Sequence, residues 1–380
     1  MIISLKDSFK LIGVTIVCFC AVFVCTFFLN FYLDVLPLRD QVITEMLPLY
    51  EAQLATAKMC CGITGGILAL IACVIVVFYV KLYIDEHSSE LGTLKALGYS
   101  ANKLAFNFSV FGLSSFVGCA LGYGFGHLAM PYIYDFLAID GLQIEIHYHA
   151  PLLLFLVIMP TLFFTCVAPI YAYTVLKKPT LAVIRNEKAV RKSRNSTACG
   201  KIRGSLLKEI SFKTVTSNKL LTFFVAFSCF CFAAMIQMGM SMESLTSGTL
   251  GSLIFAIGVA LALTSAFMAL SSLIGNSSKT IAMMKTLGYS LKERVVAVFV
   301  GFVPFAVFGF ALGTVYQYGL LSLMINLIFK DVAEVPDYTF NVSAFFITLA
   351  LFILSYSGIL TYYVSRLNKV SVKLVMTETV

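Results

Sequence analysis

Thr93-Leu-Lys-Ala-Leu-Gly-Tyr-Ser100 and Met283-Met-Lys-Thr-Leu-Gly-Tyr-Ser290 are two copies of one motif, 190 residues apart in a chain of 380. Lys95/Lys285, Leu97/Leu287, Gly98/Gly288, Tyr99/Tyr289 and Ser100/Ser290 are identical. Further matches keep the same order at a spacing of 191: Gly118-xxx-Gly122 with Gly309-xxx-Gly313, and Lys178-Pro-Thr180 and Glu187 with Lys369-Val-Ser371 and Glu378. Matches in order at a nearly fixed offset mark an internal duplication.

Long apolar runs surround each motif. A helix needs roughly 20 apolar residues to cross the hydrocarbon of a bilayer. Eight segments meet that length: 11–33, 59–80, 104–127, 151–176, 220–241, 250–274, 295–325 and 343–365. Apolar residues make up 59% of the chain and charged residues 12%, with 34 Phe. That excludes a soluble enzyme, which lacks the polar residues to cover its surface, and a disordered chain. The runs are continuous rather than alternating, so the fold class is an all-α polytopic membrane protein and not a barrel. Each motif falls between the second and third spans of a group of four. Four spans return the chain to its starting side, so the eight transmembrane helices form two parallel four-helix repeats. The domains are then 1–187 and 206–380, joined by a basic linker at 188–205. Span 1 follows Lys6 and Lys10 as a signal peptide would, but its run is longer than a usual signal core and no small-residue cleavage site follows, so it is read as retained. Span 7 is long and holds Pro304, which predicts a kink or tilt.

Charge gives the orientation. With the N-terminus inside, 24 of the 27 Lys and Arg fall on the cytoplasmic side; Arg39, Lys58 and Lys330 are the exceptions. This bias predicts a multi-pass protein of the cell (plasma or inner) membrane with both termini cytoplasmic. It also explains the net charge of +8 without nucleic acid as a partner. No Asp, Glu, Lys or Arg lies in the middle of a span. Ion-coupled transporters keep ionisable groups there, so the energy for any transport is expected to come from elsewhere.

The motif itself reads as a helix, a stop and a new helix. Leu91, Leu94 and Leu97 recur at spacing three. Gly98 suits the left-handed residue that ends a helix, and Ser100 the cap that starts the next. Ile281, Met284, Leu287 and Gly288 repeat the pattern, and Ser290-Leu-Lys-Glu293 adds a capping box that the first copy lacks. A short helix with an apolar stripe either docks in a partner's groove or lies on lipid headgroups. Its duplication favours a two-fold partner.

Glu90-Leu-Gly-Thr-Leu-Lys-Ala-Leu-Gly-Tyr-Ser100 resembles the signature of FtsX-like permeases, the membrane components of MacB- and lipoprotein-exporter-type ABC systems. The basic segment from Pro179 to Glu187 resembles the one that follows the fourth span in that family. The resemblance implies that Glu90, Leu91, Leu94, Lys95, Leu97, Gly98 and Tyr99 form one ATPase-coupling helix, and Ile281, Met284, Lys285, Leu287, Gly288 and Tyr289 a second. It implies a cytoplasmic ABC ATPase, as a dimer, for a partner. It further implies export or extraction of an amphipathic substrate (lipid, lipoprotein, peptide or drug) by mechanical transmission. The alternative is a signalling or scaffold protein that relays ATPase motion without transport. The second copy departs from the first in Thr280 for Glu90 and Ala282 for Gly92. The large extracellular domain usual between the first two spans is replaced by the 25 residues from Asp34 to Lys58, and by eight residues in the second half. A second permease or an extracytoplasmic partner stays open.

No catalytic residue and no cofactor site is expected in this chain; ATP belongs to the partner subunit. Gly275-Asn-Ser-Ser-Lys279-Thr280 is two residues too short for a phosphate loop. His147-Tyr-His149 near Glu145 is expected to be a solvated outer loop, and no metal site is assigned. Cys18, Cys20, Cys25, Cys73, Cys119, Cys166, Cys229 and Cys231 lie in apolar runs, Cys60 and Cys61 at the edge of one, and Cys199 in the basic linker. They fit no disulfide or zinc pattern. Gly118, Gly122, Gly309 and Gly313 are expected to pack helices closely.

Overall fold

The computed structural model describes residues 8–41, 69–137, 145–180, 218–245, 248–328 and 340–369, with 47, 50, 51, 54, 58, 211, 212 and 214–216 in addition. The linker 188–205, Glu187, Ser371, Glu378, Cys60, Cys61 and Cys199 lie outside the described residues. Every regular element among those described is helical. The helices are α1 Ser8–Val35, α2 Ala69–Glu86, α3 Ser88–Ala96, α4 Ala101–Phe106, α5 Val110–Leu137, α6 Ala150–Leu153, α7 Met159–Leu176, α8 Lys219–Leu245, α9 Gly248–Thr286, α10 Leu291–Phe299, α11 Val303–Ile328 and α12 Val342–Lys369. Seven stretches among the described residues are long and apolar enough to cross a membrane. The described part of span 2 is α2, 18 residues that end with Lys81, Asp85 and Glu86 in their last turns.

Two corresponding helix pairs pack closely, α1 with α5 and α8 with α11, and glycine explains both. A Cβ on Gly118 would stand 2.5 Å from the Thr15 carbonyl oxygen, and one on Gly122 2.6 Å from that of Phe19. A Cβ on Gly309 would strike the Ala226 oxygen, and one on Gly313 that of Phe230. Backbone cannot yield there, so only glycine permits the approach. Thr15 and Ala226, like Phe19 and Phe230, are 211 residues apart. In that register Cys18-Phe19-Cys20 falls on Cys229-Phe230-Cys231.

The halves meet through one contact made twice. Gly13 on α1 lies against Met268 on α9, where a Cβ would come 3.1 Å from the Met268 Cγ. Phe224 on α8 stacks on Phe78 of α2, with centroids 6.3 Å apart. Residues 13 and 224 are related by 211, and residues 78 and 268 by 190. The outer faces of α7 and α12 expose Met159, Leu162, Ile353 and Leu354, as lipid-facing surfaces do.

Two expectations change. Both motif helices were predicted to be separate short elements. The first is separate: His87 stands between α2 and α3. There the His87 Nδ1 lies 2.9 Å from the Tyr83 carbonyl oxygen, and the Ser88 hydroxyl donates to that of Asp85 at 2.8 Å. Such side-chain bonds compete with the helical ladder. The second copy has Ser277 in that place, and α9 runs unbroken for 39 residues, from before span 6 through the motif. The second change concerns Pro304. A 3₁₀ turn, Val300–Phe302, does interrupt span 7, but Asn107–Ser109 interrupts span 3 the same way without a proline. The turn therefore belongs to the repeat. Pro304 sits at the second position of α11, where a missing N–H costs little.

Candidate functional site

The repeated motif folds the same way in both copies. The Tyr99 amide donates to the Leu94 carbonyl at 3.2 Å and the Gly98 amide to that of Lys95 at 3.1 Å. The Tyr289 amide donates to the Met284 carbonyl at 3.0 Å and the Gly288 amide to that of Lys285 at 3.2 Å. This crossed pair is the Schellman ending, which needs a left-handed residue. Gly98 and Gly288 supply it with φ of 95° and 85°. The next helix starts at once. The Ser100 hydroxyl accepts from the Lys103 amide, and the Ser290 hydroxyl from that of Glu293, each at 3.4 Å. In the second copy the Ser290 amide also donates to the Glu293 Oε2 at 2.8 Å, completing the capping box.

The apolar stripe divides between inside and outside. Leu91 and Met284 are 0% and 3% exposed, Ile281 is buried, and Leu94 is half-buried. These residues seat the motif on its own bundle. Leu97 and Leu287, the last residues before the glycines, are 72% and 74% exposed. Tyr99, Met283 and Glu90 are exposed beside them, and Tyr289 is half-buried. Lys95 faces the bundle's lower edge. Its Nζ donates to the carbonyls of Leu176 at 2.7 Å and Lys178 at 2.8 Å. The ammonium thus caps the C-terminus of α7, where open carbonyls favour a cation. The first motif helix is tied to the last span of its half. Lys285 holds the matching position in the second copy.

Residues 62–180 and 252–372 each match the profile of the FtsX-like permease C-terminal family. The chain belongs to the FtsX-like permease family. The two matched regions start 190 residues apart, confirming the tandem arrangement of the permease. Each takes in the motif and the glycine pair, and both leave out α1 and α8, the helices that those glycines touch. The family is one of ABC transporter membrane subunits. No curated protein and no solved structure matches the chain.

A second constellation of the permease sits at the opposite end of the bundle, in the first half, and sequence spacing did not reveal it. Asp34, at the end of α1, has a fully buried carboxylate. Its Oδ2 accepts from the Asn30 amide nitrogen and from the Tyr134 hydroxyl, both at 2.8 Å. The Nε2 of His149 lies 2.9 Å from its Oδ1, and the Nδ1 of His147 3.8 Å from the same oxygen. The His147 carbonyl also accepts from the Asn30 amide at 3.3 Å. The outer segment expected to be solvated is therefore solvated at Glu145, Ile146, His147 and Tyr148, while His149 is half-buried on Asp34. Among the described residues no three His, Cys, Asp or Glu stand together as metal ligands. Asp34 and His149 are 115 residues apart, so spacing carried no signal. The doubled Cys-Phe-Cys was a readable signal for the register of α1 and α8, hidden because 211 differs from the 190 of the motif.

Proposed function

We propose that this permease is the membrane subunit of an ABC exporter whose eight spans, two parallel repeats with both termini cytoplasmic, transmit the motion of a separate ATPase dimer to an amphipathic substrate. In this reading α2, with the residues before it, is the eighth span. One copy of the chain offers one docking element to each ATPase. The chain itself carries no catalytic residue, and ATP is bound and hydrolysed by the partner. The substrate is exported or extracted from the outer leaflet.

The observation that carries the reading is the pair of exposed leucines, Leu97 and Leu287, each held at a Schellman ending and each next to a buried anchor. Exposed leucine on a rigid support at equivalent places in two repeats suits two equivalent grooves. The first copy adds a route for force, since Lys95 ties the docking helix to α7. The test is co-purification of the permease with a co-expressed cytoplasmic ABC ATPase. Leu97→Asp with Leu287→Asp is expected to abolish the complex and any stimulation of ATP hydrolysis while leaving the permease folded, because both side chains are outside the core. An intact complex overturns the assignment. Labelling of cysteines placed at 190–200 from outside the cell overturns the topology.

A further inference from the structure

The seam between α1 and α5 is polar at its outer end, and its polar groups are not all used. Thr26 and Asn30 are both 0% exposed, yet the Thr26 hydroxyl and the Asn30 Oδ1 have no hydrogen-bond partner. They lie one helical turn apart on α1, and Asp34 continues the row one turn further. Across the seam the Nε2 of His127 is also buried without a partner. His127 is within electrostatic reach of Asp34 and His149. Its ring packs edge-on against Tyr123, with centroids 4.6 Å apart, and lies 5.8 Å from Tyr148. Phe31 and Tyr134 close the row around Asp34, with ring centroids 5.4 Å apart. A buried polar atom without a partner costs as much as a lost hydrogen bond, so this row is built for something that fills it.

The repeat provides the control. In the second half Gln237 stands for Thr26, Ser241 for Asn30 and Leu245 for Asp34 in the 211 register, and Thr314 for Tyr123 in the 191 register. There the Gln237 amide donates to the Thr314 hydroxyl, and the Gln317 amide to the Ser241 hydroxyl, each at 3.0 Å. The Oε1 of Gln237 is left over. Among the described side chains the same glycine-packed seam closes with neutral pairs, and Leu245 holds the place of Asp34. The packing of α1 on α5 does not require Asp34 or the histidines.

We infer that the outer α1–α5 seam of the first half binds the ammonium group of an amphipathic amine. The chemistry fits group by group. Among the described residues the partners of Asp34 are an amide, a phenol and imidazoles, with no Lys or Arg. The unmet Asn30 oxygen, one turn from Asp34, accepts an N–H donor, and the aromatic rings around it favour a cation over an anion. His149, the most accessible of Asp34's hydrogen-bonding partners, is the one that yields to the ligand. Leu128 and Tyr132, exposed on the same stretch of α5, give an alkyl tail a place in the hydrocarbon. This names the substrate class within the exporter reading.

The test needs no ATPase, so its failure and the failure of ATPase docking are distinguishable. The purified permease in lipid nanodiscs is heated with dodecylamine, with N-acetyldodecylamine, with dodecanol, or with sodium or magnesium chloride. Dodecylamine alone is expected to raise the unfolding temperature, by roughly 5 °C at a hundredfold excess over its dissociation constant. The shift is expected to vanish in Asp34→Asn and to shrink in Asn30→Leu, which keeps the size and removes the unmet acceptor. Equal shifts with the amide or the alcohol overturn the inference, as do equal shifts with an inorganic cation. An unshifted permease with every additive means that water fills the seam, and overturns it too. Should Asp34→Asn not fold, a full amine shift in Asn30→Leu and in His127→Gln decides against the site.

Discussion

The α1–α5 seam and the α8–α11 seam are the same structure built for two purposes. Both begin with two glycines that let backbones touch, at Gly118 and Gly122 and at Gly309 and Gly313. Both carry a Cys-Phe-Cys on the first helix. Toward the end away from the repeated motif they part. One holds a buried carboxylate clasped by Asn30, Tyr134 and His149; the other closes with Gln237, Thr314, Gln317 and Ser241. The common part is what the fold requires, and the unshared part is what the fold tolerates. Duplication lets the two be separated within one chain.

The largest effect tests the common part. Gly122→Ala and Gly313→Ala each push a methyl into a carbonyl that cannot move, and each is expected to cost about 3 kcal/mol, the upper end of overpacking. Thermal unfolding of the two variants should agree closely. A large gap between them would mean that the seams are not equivalent after all.

The next effect tests the part that differs. Asp34→Leu installs the residue that the second half carries at that place, but strands three donors in the first. It is expected to cost about 2 kcal/mol, with Gln237→Leu about 1, because only one neutral pair is lost there. Denaturant titration of both variants ranks them. If Asp34→Leu is the milder change, the carboxylate is not held as tightly as its three bonds imply. Lys95→Met sharpens the comparison at the motif end. It removes two bonds to the end of α7 from a half-exposed ammonium, so about 1 kcal/mol of stability is at stake. A larger loss is expected in permease-stimulated ATP hydrolysis with the complex still formed, since the proposed function gives docking to Leu97 and transmission to Lys95. Loss of the complex itself would place Lys95 at the docking surface instead.

How much of this was legible depends on distance along the chain. The Schellman endings, the caps and the capping box were readable because Gly98, Ser100 and Glu293 act within a few residues of themselves. Seven of the eight expected spans were readable from their runs. What spacing three could not say is which residue of Leu91, Leu94 and Leu97 faces out, since the ending turns the last leucine away from the core that holds the first. The break at His87 was also illegible; it depends on side chains bonding back to Tyr83 and Asp85, and nothing in the aligned Ser277 announces its absence. The Asp34 cluster was least legible of all, because its members come from α1, α5 and the segment before α6. The family profile adds nothing there, as α1 lies outside it.

The smallest effect concerns the one feature that the second motif has and the first lacks. Glu293 completes a capping box at the start of α10, whereas the same position of α4 holds Lys103. A cation near a helix N-terminus opposes the dipole and leaves the Ser100 amide without the reciprocal carboxylate. Lys103→Glu is therefore expected to stabilise the permease by about 0.5 kcal/mol, and Glu293→Lys to destabilise it, with the double exchange nearly neutral. Thermal unfolding at low salt reads the difference best, since both sites are exposed and screened. If ATPase binding drops in Lys103→Glu while stability rises, then the first copy keeps its lysine for the partner and gives up the better cap. If stability does not rise, the two turns differ in backbone geometry despite sharing Gly, Tyr and Ser.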